Sequence, residues 1–100
     1  MDTFVIRRRN AWKTPQELEA TAAISRKVGD QEMPDQVRWI RSYVVKEADG
    51  TLGTVCIYQA TGPEAIRRHA GRVGMPADEI TPVAATVVVR DDPKEVAAAA

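Results

Sequence analysis

The chain of 100 residues has one histidine, one cysteine, two tyrosines and two tryptophans. Any chemistry beyond charge pairing has to come from these few side chains. His69 lies in the segment EAIRRHAGRVG, where Ile66, His69, Ala70 and Val73 fall at i, i+3, i+4 and i+7. That spacing puts the imidazole on the apolar side of a helix, where it could hold a metal ion, shuttle a proton or hydrogen-bond a core group. Trp39, Arg41 and Tyr43 alternate along QVRWIRSYVVK, as Cys56 and Tyr58 do along TVCIYQA. Alternate residues of a strand share a face. A two-residue turn at Asp49-Gly50 would pair Tyr43 with Cys56 and Arg41 with Tyr58. All five then share one face, with Ile40, Val44, Val55 and Ile57 on the other. Rings, a guanidinium, a thiol and phenols suit the lining of a small-ligand cavity. They serve equally as half-buried sheet positions or dimer contacts.

Nucleophilic catalysis finds no support in spacing. No Ser-His-Asp arrangement can be argued, and Cys56 has no signature of an activated thiol around it. A lone cysteine forms no internal disulfide, and no CxxC or HxxxH pair offers a preformed metal site. Arg7-Arg8-Arg9 could bind an anion, but alternating residues on a strand point to opposite faces, so the run reads as solvated surface.

The elements that must position these residues announce themselves by their ends. Phe4-Val5-Ile6 reads as a first strand over Thr3 to Arg8. Thr14-Pro15-Gln16-Glu17 is a helix start, with a capping hydroxyl, proline at the first position and a glutamate three residues after the cap. Leu18, Ala22 and Val28 form a thin apolar stripe, and Gly29-Asp30 supplies a left-handed stop. Gln36 to Lys46 and Thr54 to Ala60 make a hairpin around Asp49-Gly50. A second helix starts at Thr61-Gly62-Pro63-Glu64, capped by Thr61 or Gly62, and closes at Gly74. A last strand over Ile80 to Arg90 includes Val87-Val88-Val89.

The order β-α-β-β-α-β predicts a ferredoxin-like α+β fold. In it a four-stranded antiparallel sheet, with the first and third strands central, carries both helices on one face. The other face has no element left to cover it, so a homodimer, a dimeric α+β barrel, is expected. Residues 1–90 make one domain and 91–100 a flexible tail.

Composition limits the partners. Fourteen Lys+Arg balance fourteen Asp+Glu, so the positive excess on which nucleic-acid binding rests is missing. No apolar run approaches the roughly 20 residues of a membrane helix. The N-terminal order of apolar then basic residues is the reverse of a signal peptide. A cytoplasmic protein without nucleic-acid or membrane partners is expected.

WIRSYV, VCIYQATGP and EAIRRHAGRVGMP occur in that order. Trp39, Ser42, Tyr43 and Val44, then Cys56 and Tyr58, then Glu64, Ala65, His69, Ala70, Gly74 and Pro76 carry the pattern. It resembles a bacterial family of small ferredoxin-like proteins, long labelled a domain of unknown function, that includes nickel-binding members. The resemblance covers about Phe4 to Val89 and implies the fold and nickel as a cofactor, with His69 as a metal ligand. One histidine must then be supplemented by a carboxylate, a backbone group, water or a second subunit. Where the family's first strand runs into a Glu-Arg pair, this chain has Arg7-Arg8, which puts a cation in place of a carboxylate. Two readings follow. One is a non-catalytic binding protein for a metal ion or small ligand. The other is an enzyme of the dimeric α+β-barrel type, monooxygenase, cyclase or isomerase-like, by analogy of fold alone.

Overall fold

The structure is a computed structural model that describes residues 1–94. Strand β1 (Asp2–Trp12) leads into helix α1 (Pro15–Lys27), the hairpin β2 (Val37–Lys46) and β3 (Leu52–Ala60), helix α2 (Pro63–Val73) and strand β4 (Glu79–Pro82). The sheet order is β2-β3-β1-β4 with every neighbouring pair antiparallel, so β1 and β3 are central as expected. This is the ferredoxin-like arrangement.

Helix starts follow the sequence closely. The Thr14 hydroxyl accepts from the Glu17 amide at 3.2 Å, and the Glu17 carboxylate reaches back to the Lys13 amide at 3.2 Å, one residue earlier than a reciprocal capping box would place it. Of the two possible caps on α2, Gly62 is the one used, with Pro63 at the first helical position. Gly74 ends α2 at φ 84, a left-handed conformation that glycine adopts without steric cost. Gly29 behaves otherwise. Its φ is not positive, and the chain leaves α1 through a π-helical turn over Val28–Glu32. A Cβ on Gly29 would come 3.5 Å from His69 Nε2, an ordinary van der Waals contact, so this turn lies close against α2 without requiring a glycine.

The hairpin departs from the expected register by one residue. Glu47 and Thr51 close a loop of three residues rather than two: the Glu47 amide donates to the Thr51 carbonyl at 2.9 Å and Gly50 takes φ 88. That is the three-residue turn with a left-handed glycine. A bulge at Ile40 then offsets β2 again, between Trp39↔Tyr58 and Arg41↔Ile57. The consequences are opposite for two pairs of side chains. Ser42, not Tyr43, stands across from Cys56, while Tyr43 stands across from Val55. Trp39, Cys56 and Tyr58 therefore face the helices, and Arg41 and Tyr43 belong to the other face.

The core lies between helices and sheet and includes Phe4, Ile6, Val28, Met33, Val37, Tyr58 and Ile66. Phe4, Ile6 and Arg8 alternate along β1 and are all buried, Arg8 at 1% exposure. Arg8, in the middle of the arginine run, is therefore not solvated surface. Arg7 points to the opposite side, its Nη2 donating to both carboxylate oxygens of Glu47 at 2.8 and 3.0 Å, while Arg9 pairs with Glu79 at 2.7 Å in the open.

Strand β4 ends at Pro82, eight residues short of the expected Arg90, and Val87, Val88 and Val89 are exposed and unpaired. Proline has no N–H to extend the ladder. Beyond it the Val83 amide still reaches the Thr3 carbonyl at 2.9 Å. Further on, Asp92 accepts from the Tyr43 hydroxyl at 2.8 Å and pairs with Arg41 at 3.6 Å. β4 and β2 are opposite edges of the sheet, so the chain after β4 crosses the face that the helices leave open. That face, expected bare, carries a strap from its own chain. The end of the expected tail, 95–100, lies outside the described residues.

Candidate functional site

Helix α1 has a single buried residue, Ser25. The residues it turns toward β2 and β3, Leu18, Thr21, Ala22 and Ser25, are mostly small, and a gap stays open beneath them. The result is a cavity of about 490 Å³, within the range of about 300–1,000 Å³ usual for small-ligand sites. Arg8 and Trp12 of β1, Trp39, Ser42 and Val44 of β2, and Thr54, Cys56 and Tyr58 of β3 form its floor, with Met75 also on the wall. Ile40 and Val44, exposed on the edge strand, flank its opening. The bulge at Ile40 is what turns Trp39 inward, a use of bulges common beside binding sites.

Four of the five residues expected to share a ligand-lining face, Trp39, Arg41, Cys56 and Tyr58, contribute to this cavity, and Tyr43 does not. Arg41 reaches it only at the bulge, its guanidinium directed to Asp92. Trp39 and Tyr58 stack at 6.2 Å between ring centroids with planes 10° apart. The polar groups of the floor are chained together. Trp39 Nε1–H donates to Ser42 Oγ at 2.7 Å, Ser42 Oγ–H to Cys56 Sγ at 2.9 Å, and the Cys56 thiol to Thr54 Oγ1 at 3.3 Å. On the helix side Tyr58 Oη bonds Ser25 Oγ at 3.2 Å, and Trp12 Nε1–H donates to Thr21 Oγ1 at 2.9 Å. Burial pushes the Tyr58 phenol up from its ordinary range, so it stays protonated and can donate.

Sequence reasoning missed Arg8, Trp12, Ser42 and Thr54. For Arg8 the signal was present: Phe4, Ile6 and Arg8 stand at i, i+2 and i+4, the period of one strand face. Ser42 and Thr54 depended on the register, which a single residue of loop length decides.

His69 stands behind the wall. It is 1% exposed, tilted against the Tyr58 ring at 5.6 Å, and is not among the residues that line the cavity. Its Nε2 is 3.0 Å from the Ser25 carbonyl. A carbonyl can only accept, so the proton is on Nε2, and Nδ1 is left as a buried acceptor with no partner among the described residues. Burial holds the imidazole below the usual histidine range; the Arg8 charge acts the same way, and the Ser25 carbonyl opposes both.

The family model described as nickel responsive protein SCO4226-like matches residues 4–83. The chain belongs to that family. The crystal structure of SCO4226 from Streptomyces coelicolor A3(2) is similar over 85% of this chain and 99% of that one, with a TM-score of 0.67 and 22% identity. At that identity the likeness bears on fold alone. No curated protein matches the sequence. No helix among the described residues is long and apolar enough to cross a membrane.

Nickel needs several donors converging on one point. Among the described residues no three His, Cys, Asp or Glu side chains gather in that way. His69 has Nε2 committed to Ser25, and the nearby guanidinium of Arg8 opposes a cation. The residues of one chain do not fit nickel at His69.

Proposed function

We propose that this protein is a non-catalytic binding protein that holds a small ligand in the cavity beneath α1. The observation that carries the reading is the cavity itself, about 490 Å³ and lined by both tryptophans of the chain, Trp12 and Trp39, together with Tyr58. Its hydroxyls and thiol are chained to one another rather than arranged as nucleophile, base and orienting group, which favours binding over catalysis. His69 fixes Ser25 and Tyr58 from behind. A metal role for His69 requires donors from a second copy.

The protein works as a cytoplasmic homodimer in this reading. Half-buried Val55 and Ile57 and the exposed Val87 to Val89 offer apolar area on the sheet side for a second copy. Light scattering should give twice the 11.0 kDa chain mass; a monomer mass at micromolar concentration would remove that part.

The uncharged dye N-phenyl-1-naphthylamine tests the cavity. Saturable dye fluorescence, with matching loss of tryptophan emission through energy transfer from Trp12 and Trp39, is expected. Absence of saturable binding would overturn the reading. Calorimetric titration with nickel chloride tests the metal: heat that saturates in the wild type and disappears in His69→Ala would restore His69 as a ligand in the assembled protein.

A further inference from the structure

We propose that the cavity takes a small organic anion, an aryl or alkyl monocarboxylate, with Arg8 as the anchor of its charge. This rests on the cavity being the binding site and adds the chemistry of what enters it. Arg8 is 1% exposed and lines the cavity from the central strand β1. Among the described residues its Nε and Nη2 have no hydrogen-bond partner. These two donors form one edge of the guanidinium fork, the edge that matches the two oxygens of a carboxylate side by side, and since both atoms are closed to solvent the wall beside them must yield locally to admit the carboxylate.

The surroundings isolate this charge. Every other arginine on the cavity wall or beside Arg8 has an acid: Arg26 with Asp30 at 3.9 Å, Arg41 with Asp92 at 3.6 Å, Arg7 with Glu47 at 2.8 Å and Arg9 with Glu79 at 2.7 Å. Among the described residues Arg8 has no carboxylate within ion-pair distance. The favourable contacts it does make are with Tyr58, the ring lying 5.7 Å from the guanidinium carbon to the centroid and the phenol oxygen interacting weakly with the charge. Nor can the neighbouring hydroxyls turn to it freely, since Ser42 and Thr54 are tied to Trp39 and Cys56, and Tyr58 to Ser25.

A buried, unpaired guanidinium is costly in any fold and persists where something else is gained. A ligand carboxylate removes that cost only when bound, so the charge discriminates strongly between an acid and its uncharged analogue. One unpaired positive charge matches one negative charge, which favours a monocarboxylate over a phosphorylated compound. The remaining wall, Trp12, Leu18, Trp39 and Val44, is apolar and receives the body of the molecule.

The test displaces N-phenyl-1-naphthylamine with 3-phenylpropionate and with 3-phenylpropionamide, which differ in charge and little in shape. The acid should displace the dye at a concentration about ten- to a hundredfold lower than the amide, the range of a hydrogen bond to a charged group. In Arg8→Met the two should become equal, each displacement being referred to the dye affinity measured for that variant. If the dye binds the wild type but acid and amide compete equally, the anion inference is wrong and the cavity reading stands. If the dye does not bind at all, both fall. Should Arg8→Met not fold, the acid–amide comparison on the wild type still decides.

Discussion

Replacing Arg8 by methionine should make the ligand-free protein more stable, and the size of the gain follows from where the side chain sits. Arg8 is 1% exposed, with Nε and Nη2 unpartnered among the described residues. Removing a guanidinium from water without a partner costs several kcal/mol after relaxation. Against this stands one cation–π contact with Tyr58 at 5.7 Å, worth about 0.5–2 kcal/mol. The buried stem also contributes, but methionine keeps most of its length and fills irregular space well. The cost exceeds the losses, and we expect Arg8→Met to gain about 1–3 kcal/mol, in line with buried ionic groups replaced by apolar ones. In a domain of this size each kcal/mol moves the melting temperature by about 4–8 °C. The assay is urea unfolding followed by tryptophan fluorescence in chloride buffer at neutral pH, with the slope m checked for constancy so that the midpoint reports stability. The same protein should lose the stabilisation that 3-phenylpropionate gives the wild type, about 2.7 kcal/mol at a hundred times its dissociation constant. A loss of about 1 kcal/mol or more in Arg8→Met without ligand would refute the reasoning, because it would mean the guanidinium is satisfied where it lies.

Further expectations concern other parts of the fold. His69 is held below the usual histidine range by burial, so beneath about pH 6.5 the unfolded chain binds a proton the folded one resists. Stability should therefore be full above that pH and fall as pH is lowered toward the depressed folded value. Urea midpoints at about pH 7.5 and about pH 5.5 check this, with His69→Gln flattening the difference; equal wild-type midpoints would contradict it. At lower pH a further loss is due from Glu47 and Asp49. The Asn10 amide and Arg7 lower the Glu47 pKa, and the Thr51 hydroxyl and amide lower that of Asp49, so both contributions disappear as these carboxylates protonate. Gly53→Ala would set a Cβ 2.5 Å from the Arg8 carbonyl and 2.8 Å from Arg7 Nη1, with the Glu47 carboxylate also in the way. The central ladder cannot yield, and a loss of about 1–3 kcal/mol in denaturant melts is expected. Among the described residues, truncation after Arg90 removes only the exposed contacts of Asp92 with Tyr43 and Arg41. It should move the melting temperature by no more than a few degrees, and a larger fall in calorimetry would show that the strap is structural.

The sequence determined the order and ends of most elements, because those signals are local. Thr14-Pro15, Gly62-Pro63 and Gly74 work through backbone geometry within a few residues, and the resulting β-α-β-β-α-β order leaves few topologies for a four-stranded sheet. Local signals also placed His69, Ala70 and Ile66 on the buried side of α2. What the tertiary structure alone decided is the content of the cavity. The three-residue hairpin loop goes together with a contact of Glu47 to Arg7 and Asn10 on β1, about 40 residues away in sequence. That single step, with the bulge at Ile40, moves Tyr43 out and Ser42 in. The three consecutive arginines look alike in sequence, yet Arg7 finds Glu47, Arg9 finds Glu79, and Arg8 turns into a gap whose other wall is α1. Charge burial depends on which elements pack over a strand, and no spacing within the strand encodes that.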